Sequence, residues 1–141
     1  MRKIPILLAV CFGALTMFSC SKSDVLPEEK EEGPGASFIG AWTAKDYSGE
    51  VFTYEKLSQL ASNQYGYILK TNGRLTVRGN ASWCGTPPLT YADFDGTWSF
   101  KDNILTLNGG YWGGKTIEKW EILSHSNQEF SAKRLSIEHI R

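Results

Sequence analysis

The chain has little of the material from which reactive centres are built. It holds three cysteines and two histidines in 141 residues, and His125, His139 and Cys84 show no spacing suited to a shared metal ion. No nucleophile is paired with a base, and no glycine-rich phosphate loop is present. The expectation is therefore a protein that is not an enzyme and carries no cofactor and no metal. Charge of one sign is lacking too: 15 basic residues balance 15 acidic ones, so no global field points to nucleic acid as a partner. The longest apolar run, Ile4 to Phe18, falls short of the about 20 residues that cross a bilayer as a helix. Helical periodicity is scarce as well. Only "EKLSQLASN", Glu55 to Asn63, reads as a short helix.

What is present begins with an export signal. Arg2 and Lys3 precede the apolar run, and a small residue, Ser19, ends it, the three zones of a cleaved secretory leader spanning 1–19. Cys20 follows directly. The residues Met17-Phe18-Ser19-Cys20 resemble a bacterial lipobox of the Bacteroidetes type, in which the cysteine is diacylated and becomes the new N-terminus. The resemblance implies a lipoprotein, with palmitate-like acyl chains on Cys20 and the outer membrane of a bacterial envelope as its address. Lipidation makes physical sense here, because one acyl chain holds a membrane only marginally whereas two or more hold stably.

Residues 20–37, "CSKSDVLPEEKEEGPGAS", set two lysines against five carboxylates and include two prolines and two glycines. Such a segment has almost nothing to bury and reads as a flexible acidic tether. Its acidity resembles the signals that send some lipoproteins to the cell surface. Surface and periplasmic orientations both remain open. With Cys11 in the leader and Cys20 acylated, Cys84 has no disulfide partner in the processed chain, and burial in the core is the expectation for it.

From Phe38 the composition changes. Residues 38–141 hold all five tryptophans, all six tyrosines and five of the seven phenylalanines, ample apolar material for a core. "RLTVR" alternates Leu75 and Val77 with polar neighbours, a period of two. "YGYILKTNGRLTV" reads as a hairpin closed at Asn72-Gly73. "GTWSFKDNILTLNGG" reads as another, with Trp98 and Phe100 facing Leu105 and Leu107 across Asp102-Asn103. "TIEKWEILS" puts Trp120 and Ile122 on one face, and "EFSAKRLS" follows a turn at 126–128. The fold class expected is all-β: an antiparallel up-and-down barrel of about eight strands, whose closure removes exposed edges.

The opening "FIGAWTAKDYSGE", with Gly40-Ala41-Trp42, resembles the Gly-x-Trp start of lipocalins. The stretch from Phe38 to Leu135 looks like the short lipocalin-like domains of Bacteroidetes lipoproteins. The resemblance implies that Gly40 permits a bend at the first strand and that Trp42 packs across the barrel base. It also implies a small ligand. In a simple meander, alternate connections share an end, so "DYSG", "TNG", "DN" and "HSNQ" would gather at one end. The longer loops would gather at the other, beside the start of the first strand, bringing Trp83, Tyr91, Tyr111 and Trp112 together.

Aromatic loops on a rigid barrel suit an apolar molecule or the flat face of a sugar. Two other readings stand beside that one. The rings fold back to plug the barrel, since eight strands leave an interior that side chains can fill, or they meet another envelope protein. The sequon at Asn80 and the Asp93, Asp95 pair are too short to specify a glycan, a calcium ion or a glycosidase site.

Overall fold

Strand formation follows from alternation: Leu75 and Val77, Trp98 and Phe100, Leu105 and Leu107, and Trp120 and Ile122 each sit two apart, and one face of the sheet turns inward. The computed structural model describes residues 35–141; Cys20, the leader and most of the acidic segment lie outside the described residues. Eight strands form a closed antiparallel barrel. They are β1 (Gly40–Ser48), β2 (Val51–Leu57), β3 (Gly66–Leu69), β4 (Arg74–Asn80), β5 (Tyr91–Lys101), β6 (Ile104–Tyr111), β7 (Gly114–His125) and β8 (Glu129–Ile140). From β3 to β8 each strand pairs with the next in sequence, and β2 closes the ring against β8.

The topology departs from a simple meander at one place. β1 lies between β2 and β3 and pairs with both. The connection 58–65 therefore crosses the outer face of β1. Thr43 Oγ1 donates to the Tyr65 carbonyl at 2.9 Å, and Leu60 is buried. Gly66 leaves room there: a Cβ at that position would run into the Trp42 carbonyl and the Leu60 methyls. This crossover explains why Ala41 and Thr43, on the opposite face of β1 from Trp42, are also buried.

Two sequence expectations are corrected by this segment. Glu55 to Asn63 is not helical: Glu55, Lys56 and Leu57 complete β2, in register with Thr43, Trp42 and Ala41, and the remainder is irregular. Pairing with β1 and burial of Leu60 outweigh a weak local helical pattern. The grouping of loops changes as well. Because the 58–65 crossover spans the barrel lengthwise, the β1–β2 turn at Gly49 sits with the β4–β5 and β6–β7 connections, at what we term the mouth. Trp42, the Thr71–Gly73 turn, Asp102-Asn103 and 126–128 lie at the opposite end, the base.

The base is densely filled. A short turn of 3-10 helix, Ala36–Phe38, drives Phe38 into the barrel, where its ring lies 4.9 Å from Phe100 and 5.4 Å from Phe130. Trp42 is fully buried, packs edge-on to Phe130 at 4.8 Å and donates from Nε1 to the Phe38 carbonyl at 2.7 Å. Leu69, Leu75, Leu105, Leu107, Trp120 and Ala132 complete this layer. The Asp102-Asn103 hairpin has both residues at positive φ, 51° and 64°, the twist-matched two-residue turn. Its Asn103 Nδ2 donates to the Ile122 carbonyl at 2.7 Å.

Cys84 is exposed, which corrects the expectation of burial. The 81–90 loop is largely exposed, and the thiol meets Thr86, whose hydroxyl lies 3.0 Å away.

Candidate functional site

Above the filled base the interior opens into a cup. Its volume is about 390 Å³, and it is lined from β1 to β8 by residues that include Tyr54, Tyr67, Phe94, Tyr111, Thr116 and Glu118. That size is at the lower end of the range for small-molecule sites. The strand period accounts for its make-up: Thr116, Glu118, Trp120 and Ile122 alternate inward along β7, so the strand that feeds the base with Trp120 presents Glu118 one pleat nearer the mouth.

Glu118 is the chemical feature of this interior. Tyr67 Oη donates to Glu118 Oε1 at 3.4 Å, and the Tyr54 ring lies 5.9 Å from that of Tyr67. Burial pushes the Glu118 carboxyl above the usual range, opposed by the Tyr67 hydrogen bond and by the charge of Arg134. Burial and the nearby Glu118 charge push both tyrosine hydroxyls upward in turn, so they remain neutral donors. Below them, the Trp120 indole N–H is buried without a hydrogen-bond partner among the described residues.

The rim is polar and already paired. Arg78 forks onto Asp93 through Nε and Nη2 at 2.7 and 2.8 Å, and its Nη1 donates to the Leu60 and Ala61 carbonyls, each at 3.0 Å. The Tyr65 hydroxyl donates to Asn80 Oδ1, and the Tyr65 ring lies 5.0 Å from Tyr91.

The four aromatic residues singled out from sequence separate here. Tyr111 and Trp112 line the cup, with ring centroids 5.7 Å apart, and His139 stands edge-on to Tyr111 at 5.7 Å. Tyr91 touches the cup only through Tyr65, and Trp83 is 78% exposed on the 81–90 loop. Gly40 and Trp42 are at the base, away from the cup; Gly40 has φ 142°, and the Lys56 ammonium lies 5.3 Å from the Trp42 ring. Sequence reasoning missed Tyr54, Tyr67 and Glu118. The signal for Glu118 was available: it shares the inward parity of Trp120 and Ile122. Among the described residues no three histidine, cysteine or carboxylate side chains converge as a metal site.

The fold and cup define an eight-stranded antiparallel barrel with a closed base and one open end. No protein-family model, curated protein or solved structure gave a match to this chain.

Proposed function

We propose that the chain is an envelope lipoprotein, anchored through acylated Cys20, whose lipocalin-like barrel holds a small apolar or carbohydrate ligand in the cup. The observation that carries the binding reading is the cavity of about 390 Å³ above a fully packed base. The Met17 to Cys20 motif and the acidic segment after it support the anchoring.

Native mass spectrometry of the protein after incubation with an envelope extract tests the first part. A discrete added mass, lost on Tyr111→Ala/Trp112→Ala replacement in a folded protein, is the expected result; a bare mass sinks the ligand reading. For the anchor, Cys20→Ala is expected to abolish fatty-acid labelling and membrane fractionation, and persistence of both would refute lipidation.

A second reading, an interaction protein that meets an envelope partner, draws on Trp83 and Trp112. Both are well exposed, 78% and 51%, on connections at the mouth, where aromatic rings serve interfaces well.

A further inference from the structure

Resting on the ligand reading above, we infer that the cup selects an organic ammonium, with its cationic head against Glu118 and its body among the rings of Tyr54, Tyr67, Phe94, Tyr111 and Trp112.

The polar groups of the cup differ in how far they are already paired. Arg78 is occupied by Asp93 and by the two carbonyls of the crossover, and Asn80 by Tyr65. Thr116, Tyr111 and Trp112 also line the cup, but their side chains are neutral. Glu118 differs. None of the ion pairs among the described residues includes it; they join Lys45 to Glu129, Arg78 to Asp93 and Lys133 to Glu50. Arg134, whose charge acts on Glu118, lies over the Phe52 and Trp120 rings, at 5.1 and 5.7 Å, and makes no ion pair with it.

A carboxylate inside the cup, hydrogen-bonded by Tyr67 and acted on by Arg134 and His139 only from beyond ion-pair distance, is incompletely compensated, and an incompletely compensated buried charge is costly. A ligand cation supplies what is missing. Aromatic faces around it add to the attraction, since ring quadrupoles favour an ammonium most where water is excluded. An anionic ligand would meet Glu118 head-on, and a purely apolar one would leave its charge buried still deeper.

The groups facing Glu118 are Tyr54 on β2, Tyr67 on β3, Trp120 on its own strand, and Arg134 and His139 on β8. The two tyrosines stay neutral, so the carboxylate supplies the negative charge of the floor. Cation binding should then weaken as the pH falls and Glu118 takes up a proton.

The test compares three probes by calorimetry on the full protein: benzyltrimethylammonium, its uncharged isostere neopentylbenzene, and methyl glucoside. The expected result is at least a tenfold preference for the cation over its isostere at pH 7.5. That preference should be lost in Glu118→Gln. Should this variant fail to fold, wild-type protein decides: the preference should disappear in acid while the isostere binds unchanged. Equal affinity for cation and isostere, tighter binding of the isostere or the sugar, or a preference that survives Glu118→Gln or acid would overturn the proposal and leave the ligand reading standing. If none of the three binds, the ammonium proposal falls, and the ligand reading falls with it only if the native mass spectrum is also bare.

Discussion

Arg78 and Asp93 face each other across β4 and β5 in a two-pronged pair, 2.7 and 2.8 Å, and the same guanidinium holds the crossover by the carbonyls of Leu60 and Ala61. One side chain thus fastens the connection that, among the described residues, breaks the meander. Arg78→Ala should destabilise the barrel by about 1–3 kcal/mol, the usual loss for hydrogen bonds to a charged group. Amide exchange across 58–65 should quicken more than elsewhere. Arg78→Lys keeps the charge but not the fork, so it should restore little of the protection; full restoration would mean that charge alone anchors the segment.

The same pair has a pH consequence. The hydrogen bond from Arg78 holds the Asp93 carboxyl below its ordinary value of 3.8. A carboxyl lowered by folding adds stability that is present above its unfolded pKa and is lost as the pH falls through the folded one. Acid should therefore loosen the crossover before the base. Exchange measured at pH 3 and pH 6 would show this, and uniform loosening along the chain would contradict it.

At the base, Trp42 fills the core and also caps the Phe38 carbonyl. Trp42→Ala should cost about 3–5 kcal/mol through the cavity it leaves. Trp42→Phe preserves most of the packing but strands that carbonyl, a loss of about 1–3 kcal/mol. Denaturant unfolding separates the two effects, and equal losses would indicate that the hydrogen bond contributes nothing.

The parts of this fold that were legible in the sequence are those governed by local rules. Asn72-Gly73 and Asp102-Asn103 are turns because their residues tolerate positive φ, and the inward parity of Leu75, Leu105, Leu107 and Trp120 follows from the pleat. The insertion of β1 between β2 and β3 was not legible. It depends on Leu60, Thr43 and Gly66 meeting across the outer face of β1, contacts with no signature in any short window. Cys84 went astray for a related reason: a small apolar residue in a loop is buried only if that loop folds inward, and 81–90 does not. The cup was half visible, since Tyr111 and Trp112 were marked by their loop while Glu118 was hidden within a strand pattern read only for its rings.

Exposure makes a clear prediction for the two outer tryptophans. Trp83 and Trp112 contribute little to the packed base, so Trp83→Ala/Trp112→Ala should lower stability by no more than about 0.5 kcal/mol per site, as surface changes do. Thermal melts would show it. Unfolding of the double variant would mean instead that these rings plug the barrel.

Glu118 should carry the opposite pH signature from Asp93. Burial raises its folded carboxyl above the ordinary value of 4.5, so the folded state binds a proton more tightly than the unfolded one over the interval between the two values. Stability then falls as the pH rises through that interval, because ionisation costs the folded barrel more. Glu118→Gln keeps the shape and cannot ionise. Its melting temperature should match that of wild type at pH 4 and exceed it at pH 7, with the gap opening as the pH rises and then holding level. Repeating the series in a His139→Gln background removes a group whose charge lowers the Glu118 carboxyl and should widen the gap rather than close it. A gap that is constant from pH 4 to 8, or of the opposite sign, would mean that the carboxylate is already well compensated in the empty barrel, and the electrostatic vacancy that favours an ammonium ligand would disappear with it.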